Sequence, residues 1–258
     1  MPISQIFSAL VGLMFTANAF AGQTLDDFAK RSEVTQPVII ELYTSQGCSS
    51  CPPAETWLSA FSYEPGLWRD YFPLAFHVTY WDYIGWKDPY GQRAFSQRQY
   101  DHLKKKHIKQ VYTPQFVING VEWRGWFDRV LGEVLTLKPR SVGVLDVNIL
   151  GKQLRATFTS RSDSSEVARL HLALVGVGIT TDIKRGENRH KRLAHDFTVL
   201  SHQTFDANEQ SKGEFVGKIT LPSDLMTNAE RLAWVAWIEQ EGQAIQAVGD
   251  WLVPNNIH

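Results

Sequence analysis

The chain is poor in cysteine: its 258 residues include two, Cys48 and Cys51. Small secreted domains that use disulfides in place of a core carry several pairs at long spacing, because a longer closed loop constrains the unfolded chain more. A pair separated by two residues closes almost no loop, which excludes a stapled scaffold and points to chemistry as its use. Net charge is also scarce. Lys and Arg number 26 against 27 Asp and Glu, a formal charge of −1. That excludes the concentrated basic surplus that grips nucleic acid. The one basic run, Lys104-Lys105-Lys106-His107, falls at the end of an expected helix, where cations meet the negative pole of the dipole. Long apolar runs are missing as well, so no segment is expected to span a bilayer.

Residues 1–29 lack Lys and Arg altogether. Within them, residues 6–15 form a short apolar run, followed by Ala17-Asn18-Ala19-Phe20-Ala21 with two A-x-A sites. This length and order match a secretory signal peptide. The expectation is a leader over 1–21 cleaved before Gly22, and a mature protein in the periplasm or secreted, with no stable membrane insertion.

Past the leader, residues 24–27 look like a capped helix start. Residues 38–43 read as a buried strand, and Pro52-Pro53 open a helix at positions where the missing N–H is harmless. A second strand is expected over 72–80 and a helix over 92–107. A third strand at 116–118 runs into Asn119-Gly120, a strong hairpin signal, with the return strand from Val121. A helix over 127–137 and a linker at Lys138-Pro139 follow. The order β-α-β-α-β-β-α implies α/β architecture over 22–140. Beyond it, seven strand-like segments between 142 and 252 suggest a separate all-β, sandwich-like domain over 141–258.

Cys48-Ser49-Ser50-Cys51 follows a strand and opens a helix, where backbone amides and the dipole favour a thiolate. Cys48 is then the exposed nucleophile and Cys51 the resolving thiol. Two other uses share the spacing: a metal site, although zinc would want further Cys or His partners, and an inert disulfide. Tyr80, Trp81, Tyr83 and Trp86 follow the second parallel strand, which places them near Cys48 as a candidate substrate floor. Glu41, on a buried strand, needs a partner or a proton, and burial would suit it to general-base work. His77 reads as a satisfied core histidine, the segment 184–188 as a solvated turn, and His195-Asp196 as an oriented imidazole without a nucleophilic serine motif.

Thr113-Pro114, directly before a strand, completes a pattern with Cys48 and Cys51 that resembles the thioredoxin superfamily. The resemblance implies a thioredoxin-like N-terminal domain and a cis Pro114 packed on the pair. It also implies a Thr113 backbone free to meet substrate, and a buried acid placed like Glu41 to take the resolving thiol's proton. The chain departs from thioredoxin itself in lacking Trp before Cys48, in carrying Ser-Ser between the cysteines, and in a helical insertion before Pro114. It is closer to a family of bacterial exported proteins of unknown function (domain of unknown function 1223). That likeness rests on residues 41–54, on 77–89, on Tyr112-Thr113-Pro114-Gln115, on 184–188 and on His195-Asp196. The expected function is thiol–disulfide oxidoreductase, an enzyme using the Cys48–Cys51 disulfide with no separate cofactor and acting on protein or small-molecule thiols and disulfides. The alternative is a binding or copper-carrier module, since soft thiolates suit Cu(I).

Overall fold

A computed structural model describes residues 27–128, 140–161, 168–208, 213–221 and 228–252. The leader expected over 1–21, nearly all of the helix expected over 127–137, and the linker at Lys138-Pro139 lie outside the described residues. Among these, the chain forms β1 (Phe28–Arg31), β2 (Val38–Thr44), α1 (Cys51–Ser59), β3 (Tyr71–His77), α2 (Arg93–Lys104), β4 (Gln115–Ile118) and β5 (Val121–Trp123). There follow β6 (Gly143–Leu150), β7 (Gln153–Ser160), β8 (Ala168–Val177), β9 (Ile179–Asp182), β10 (Arg192–His195), β11 (Thr198–Asp206), β12 (Glu214–Lys218), β13 (Arg231–Gln240) and β14 (Gln243–Trp251).

The expectation of an α/β fold with a thioredoxin-like N-terminal domain is overturned. Fourteen strands stand against two α-helices of 9 and 12 residues among the described residues, and the architecture is mostly β. The reason lies in an edge. β2 and β3 pair in parallel, Val38 opposite Tyr71 through Thr44 opposite His77, which leaves the outer edge of β3 as a template for another strand. β11 takes that edge, with Thr198 opposite Ala75 and Ala75 N–H donating to the Phe197 carbonyl at 2.8 Å. The second half therefore extends the first. One eight-stranded sheet runs β14-β13-β8-β11-β3-β2-β4-β5, and its strands come from both sides of residue 140. A four-stranded sheet, β1-β6-β7-β12, packs on its C-terminal half. β1 stands where the sequence suggested a helix following residues 24–27; its pairing with β6 overrides that local preference.

Side chains alternate across the long strands. On β8, Leu170, Leu172 and Leu174 face the four-stranded sheet, while Ala173, Val175 and Val177 join the core around β2 and β3. On β13, Trp234, Ala236 and Ile238 take the first face and Ala233, Val235 and Trp237 the second. β2 is buried at every position, as expected of a central strand covered on both sides. The β4–β5 hairpin turns through Asn119 (φ 47°) and Gly120 (φ 84°), both positive as a tight hairpin requires. A Cβ on Gly120 would lie 2.5 Å from the Gly242 carbonyl oxygen of the β13–β14 turn. No helix among the described residues is long and apolar enough to cross a membrane.

Candidate functional site

β2 ends in a turn over residues 45–50 that delivers Cys51 to the first position of α1. The turn is closed by Cys48 N–H donating to the Ser45 carbonyl (3.1 Å) and Cys51 N–H donating to the Cys48 carbonyl (3.3 Å). Both cysteines are free thiols. The Cys48 sulfur lies 3.2 Å from Ser50 Oγ and donates to the Thr113 carbonyl at 3.8 Å. The Thr113–Pro114 peptide bond is cis. The loop before β4 thus sits directly against the cysteine turn.

The two thiols are electrostatically unlike. A hydrogen bond from Cys51, opposed by burial and aided by Ser50 and Thr113, brings the Cys48 thiol down to about 6. Burial first, then Cys48, then the charge of Glu55 push Cys51 well above the usual thiol range. Glu55 lies one turn beyond Cys51, at the i,i+4 position on the same buried face of α1.

Glu41 is placed elsewhere. Its carboxylate receives both arms of Arg98 at 2.7 Å and the Tyr43 hydroxyl at 2.7 Å. Arg98 also bonds Glu239, which accepts the Trp237 indole N–H at 2.9 Å. Burial opposes the charge on Glu41, but Arg98 and His102 hold it well below the usual carboxylate range. Glu41 is a structural ion-pair member, and the acid that faces Cys51 is Glu55. A readable signal for Glu55 existed: an acid on the apolar stripe of α1, four residues from a cysteine.

The aromatic residues divide. Trp81 donates its indole N–H to Thr113 Oγ1 at 2.7 Å and stacks on Tyr83, which is 81% exposed. Together they form an apolar step beside the Thr113 backbone. Tyr80 turns toward α2 and donates to Gln99 at 3.1 Å, and Trp86 donates to Gln46 Oε1 at 3.0 Å. These two brace the site, and the candidate floor reduces to Trp81 and Tyr83.

Cys48 is fully buried, which corrects the expectation of an exposed nucleophile. Its cover includes the β9–β10 loop, the segment that read as a solvated turn. Glu187 accepts from Ser49 N–H at 2.9 Å. Buried Asn188 donates to the carbonyls of both Gln46 and Cys48, each at 2.9 Å.

Beneath the turn lies a buried polar cluster. His195 Nδ1 meets Glu55 Oε2, and its Nε2 lies 3.0 Å from Gln46 Nε2. Thr44 donates to Glu55 Oε1 at 2.5 Å. Burial works against the charge on Glu55, but His195, His77 and Thr44 outweigh it and keep its carboxyl below the usual range. His77 Nδ1 lies 2.8 Å from Asp88 Oδ2, which also accepts from Gln46 N–H at 2.8 Å. Burial lowers the His77 pKa, but Asp88 prevails and raises it. Asp82 accepts from the Asp88 N–H at 3.2 Å, a loop-ordering role. Asp196, beside His195, accepts from Gly178 N–H at 2.9 Å.

No curated protein matches this chain in sequence. Two solved structures share its fold. One is the crystal structure of protein AGR_C_4864 from Agrobacterium tumefaciens, 24% identical, with a TM-score of 0.54 over 86% of this chain and 96% of that one. The other is HBP35 of Porphyromonas gingivalis, 14% identical, with a TM-score of 0.56 over 88% of this chain and 79% of that one. The family described as "Protein of unknown function (DUF1223)" matches residues 39–239, from β2 through β13 and so across the whole site, and the chain belongs to that family.

Proposed function

We propose that this protein is an exported thiol–disulfide oxidoreductase in which Cys48 attacks and Cys51 resolves. The observation that carries the reading is the asymmetry of the pair at the start of α1. Cys48 is ringed by groups that stabilise a sulfur anion, and Cys51 is buried against the charge of Glu55. Thiolate, not thiol, is the attacking species, so the pair has a defined order of reaction.

Cys48 thiolate attacks one sulfur of a substrate disulfide, and the other substrate sulfur leaves as a thiolate that takes a proton from solvent. Cys51 then attacks Cys48, its proton passing to the departing substrate sulfur. The substrate ends as two thiols and the protein as the Cys48–Cys51 disulfide; with a dithiol substrate the same steps run in reverse. Trp81 and Tyr83 offer an apolar surface beside Thr113 for the substrate's flanking residues. Export follows from the leader-like run before Gly22, and an oxidising compartment gives the pair disulfides to exchange with.

The test is single-turnover exchange with a disulfide-bonded peptide. The reading expects turnover by the full chain, a trapped mixed disulfide on Cys48 in Cys51→Ser, and no reaction in Cys48→Ser. Stoichiometric Cu(I) uptake by both sulfurs with no exchange would favour the carrier reading.

A further inference from the structure

We infer that Glu55, His77 and His195 form a buried binding site for a divalent transition-metal ion, with Zn²⁺ the ion their donors fit best. The site lies beside the cysteine pair and does not use it. One donor atom from each of the three residues lies within 4.8 Å of the others. A modest closing movement brings such atoms to the roughly 2.0–2.2 Å that zinc takes from imidazole nitrogen and carboxylate oxygen. The three come from separate elements: Glu55 from α1, His77 from the end of β3 and His195 from the end of β10.

A second observation points to a ligand. His77 is fully buried, yet its Nε2 has no hydrogen-bond partner among the described residues. Buried polar atoms are usually satisfied, and an unpartnered imidazole nitrogen beside a second histidine and a carboxylate is a place for an ion. The other nitrogen of the ring is fixed. Nδ1 faces Asp88 Oδ2 at 2.8 Å, and Asp88 is itself held by the N–H groups of Gln46 and Tyr90 at 2.8 and 3.0 Å. A carboxylate behind an imidazole is the usual outer support of a metal-bound histidine, fixing its orientation and leaving the far nitrogen for the ion.

Charge also balances. Glu55 and Asp88 place two carboxylates in a buried cluster, which one dication neutralises. Glu55 and His195 already touch through Oε2 and Nδ1, and each would turn one donor atom to the ion. Two histidines and one glutamate leave a fourth position for water, the ligand set of an open zinc centre.

The test is metal content of the full chain after incubation with Zn²⁺ and exhaustive dialysis, on wild type and on Cys48→Ser/Cys51→Ser. The expected result is one equivalent of zinc in both, falling at least tenfold in His77→Gln and in Glu55→Gln. Zinc that disappears with the cysteines, or no retained zinc in wild type, overturns the site. Should the histidine and glutamate variants fail to fold, Co²⁺ loading of wild type decides. Visible d–d bands without thiolate charge-transfer absorption support the Glu–His–His set, and thiolate bands overturn it. The cysteine-free variant keeps this outcome separate from that of the thiol-exchange reading.

Discussion

Ser50→Ala isolates what lowers the Cys48 pKa. The serine hydroxyl lies 3.2 Å from the Cys48 sulfur and is one of the groups that bring the thiol down to about 6. A hydrogen bond to a charged group contributes about 1.5–3 kcal/mol. Ser50 is exposed, so the low end applies, about one pKa unit. The midpoint of Cys48 alkylation should then move from about 6 to about 7. At pH 6 the thiolate fraction falls from about one half to about one tenth. Each unit of basicity raises thiolate nucleophilicity about threefold. The variant should therefore alkylate about twofold more slowly at pH 6 and about threefold faster at pH 9, the profiles crossing between pH 6 and 7. Iodoacetamide labelling of Cys51→Ser and Cys51→Ser/Ser50→Ala keeps the assay on one sulfur. Those pH values hold with Cys51 present; removing it takes away the largest lowering contribution from both proteins, so both midpoints and the crossing point shift up together while the separation of about one unit remains. The loop over Cys48 scales both curves alike. Superimposable profiles would refute the reasoning.

Asn188→Ala removes two bonds to buried carbonyls, and should cost about 1–3 kcal/mol in chemical denaturation while accelerating Cys48 alkylation; lost stability with no gain in alkylation would show that the β9–β10 loop does not control access. Arg98→Met strips the buried carboxylates of Glu41 and Glu239 of the guanidinium they share and should destabilise by about 3–5 kcal/mol, read as a lower denaturant midpoint. The same pair sets an acid limit. Burial opposes ionisation of Glu41, but Arg98 and His102 lower its pKa, so its contribution is fully present above the unfolded-state value of about 4.3 and is lost as pH falls toward the folded one. Stability should drop between pH 5 and pH 3, and Glu41→Gln should flatten that slope.

Local chemistry was readable where it is encoded locally. The cysteine pair, the Pro52-Pro53 helix start, the Asn119-Gly120 turn and the strands at β2, β4, β7 and β13 follow from residues adjacent in sequence. The site's supports were not, because they come from afar. Asn188 reaches Cys48 across 140 positions, and His195 reaches Glu55 across another 140. Only the seating of β9 and β10 over the turn brings them there, and no periodicity reports it. The sheet failed for a similar reason. The strands of the second half were visible, but which free edge they would join depends on β3 offering one, a property of pairing and not of composition. Glu41 misled because a buried acid on a central strand invites a catalytic reading until Arg98, 57 residues away, supplies its partner.

The central claim is that Cys48 and Cys51 form a reversible redox couple. Its most direct measurement is equilibrium titration of the full chain across thiol–disulfide buffers, with the disulfide located by peptide mapping. The account predicts a two-electron transition forming the Cys48–Cys51 bond, at a potential above the roughly −300 mV below which structural disulfides lie, and its disappearance in Cys48→Ser. A pair that stays dithiol throughout, or a disulfide that resists reduction below that value, would contradict it.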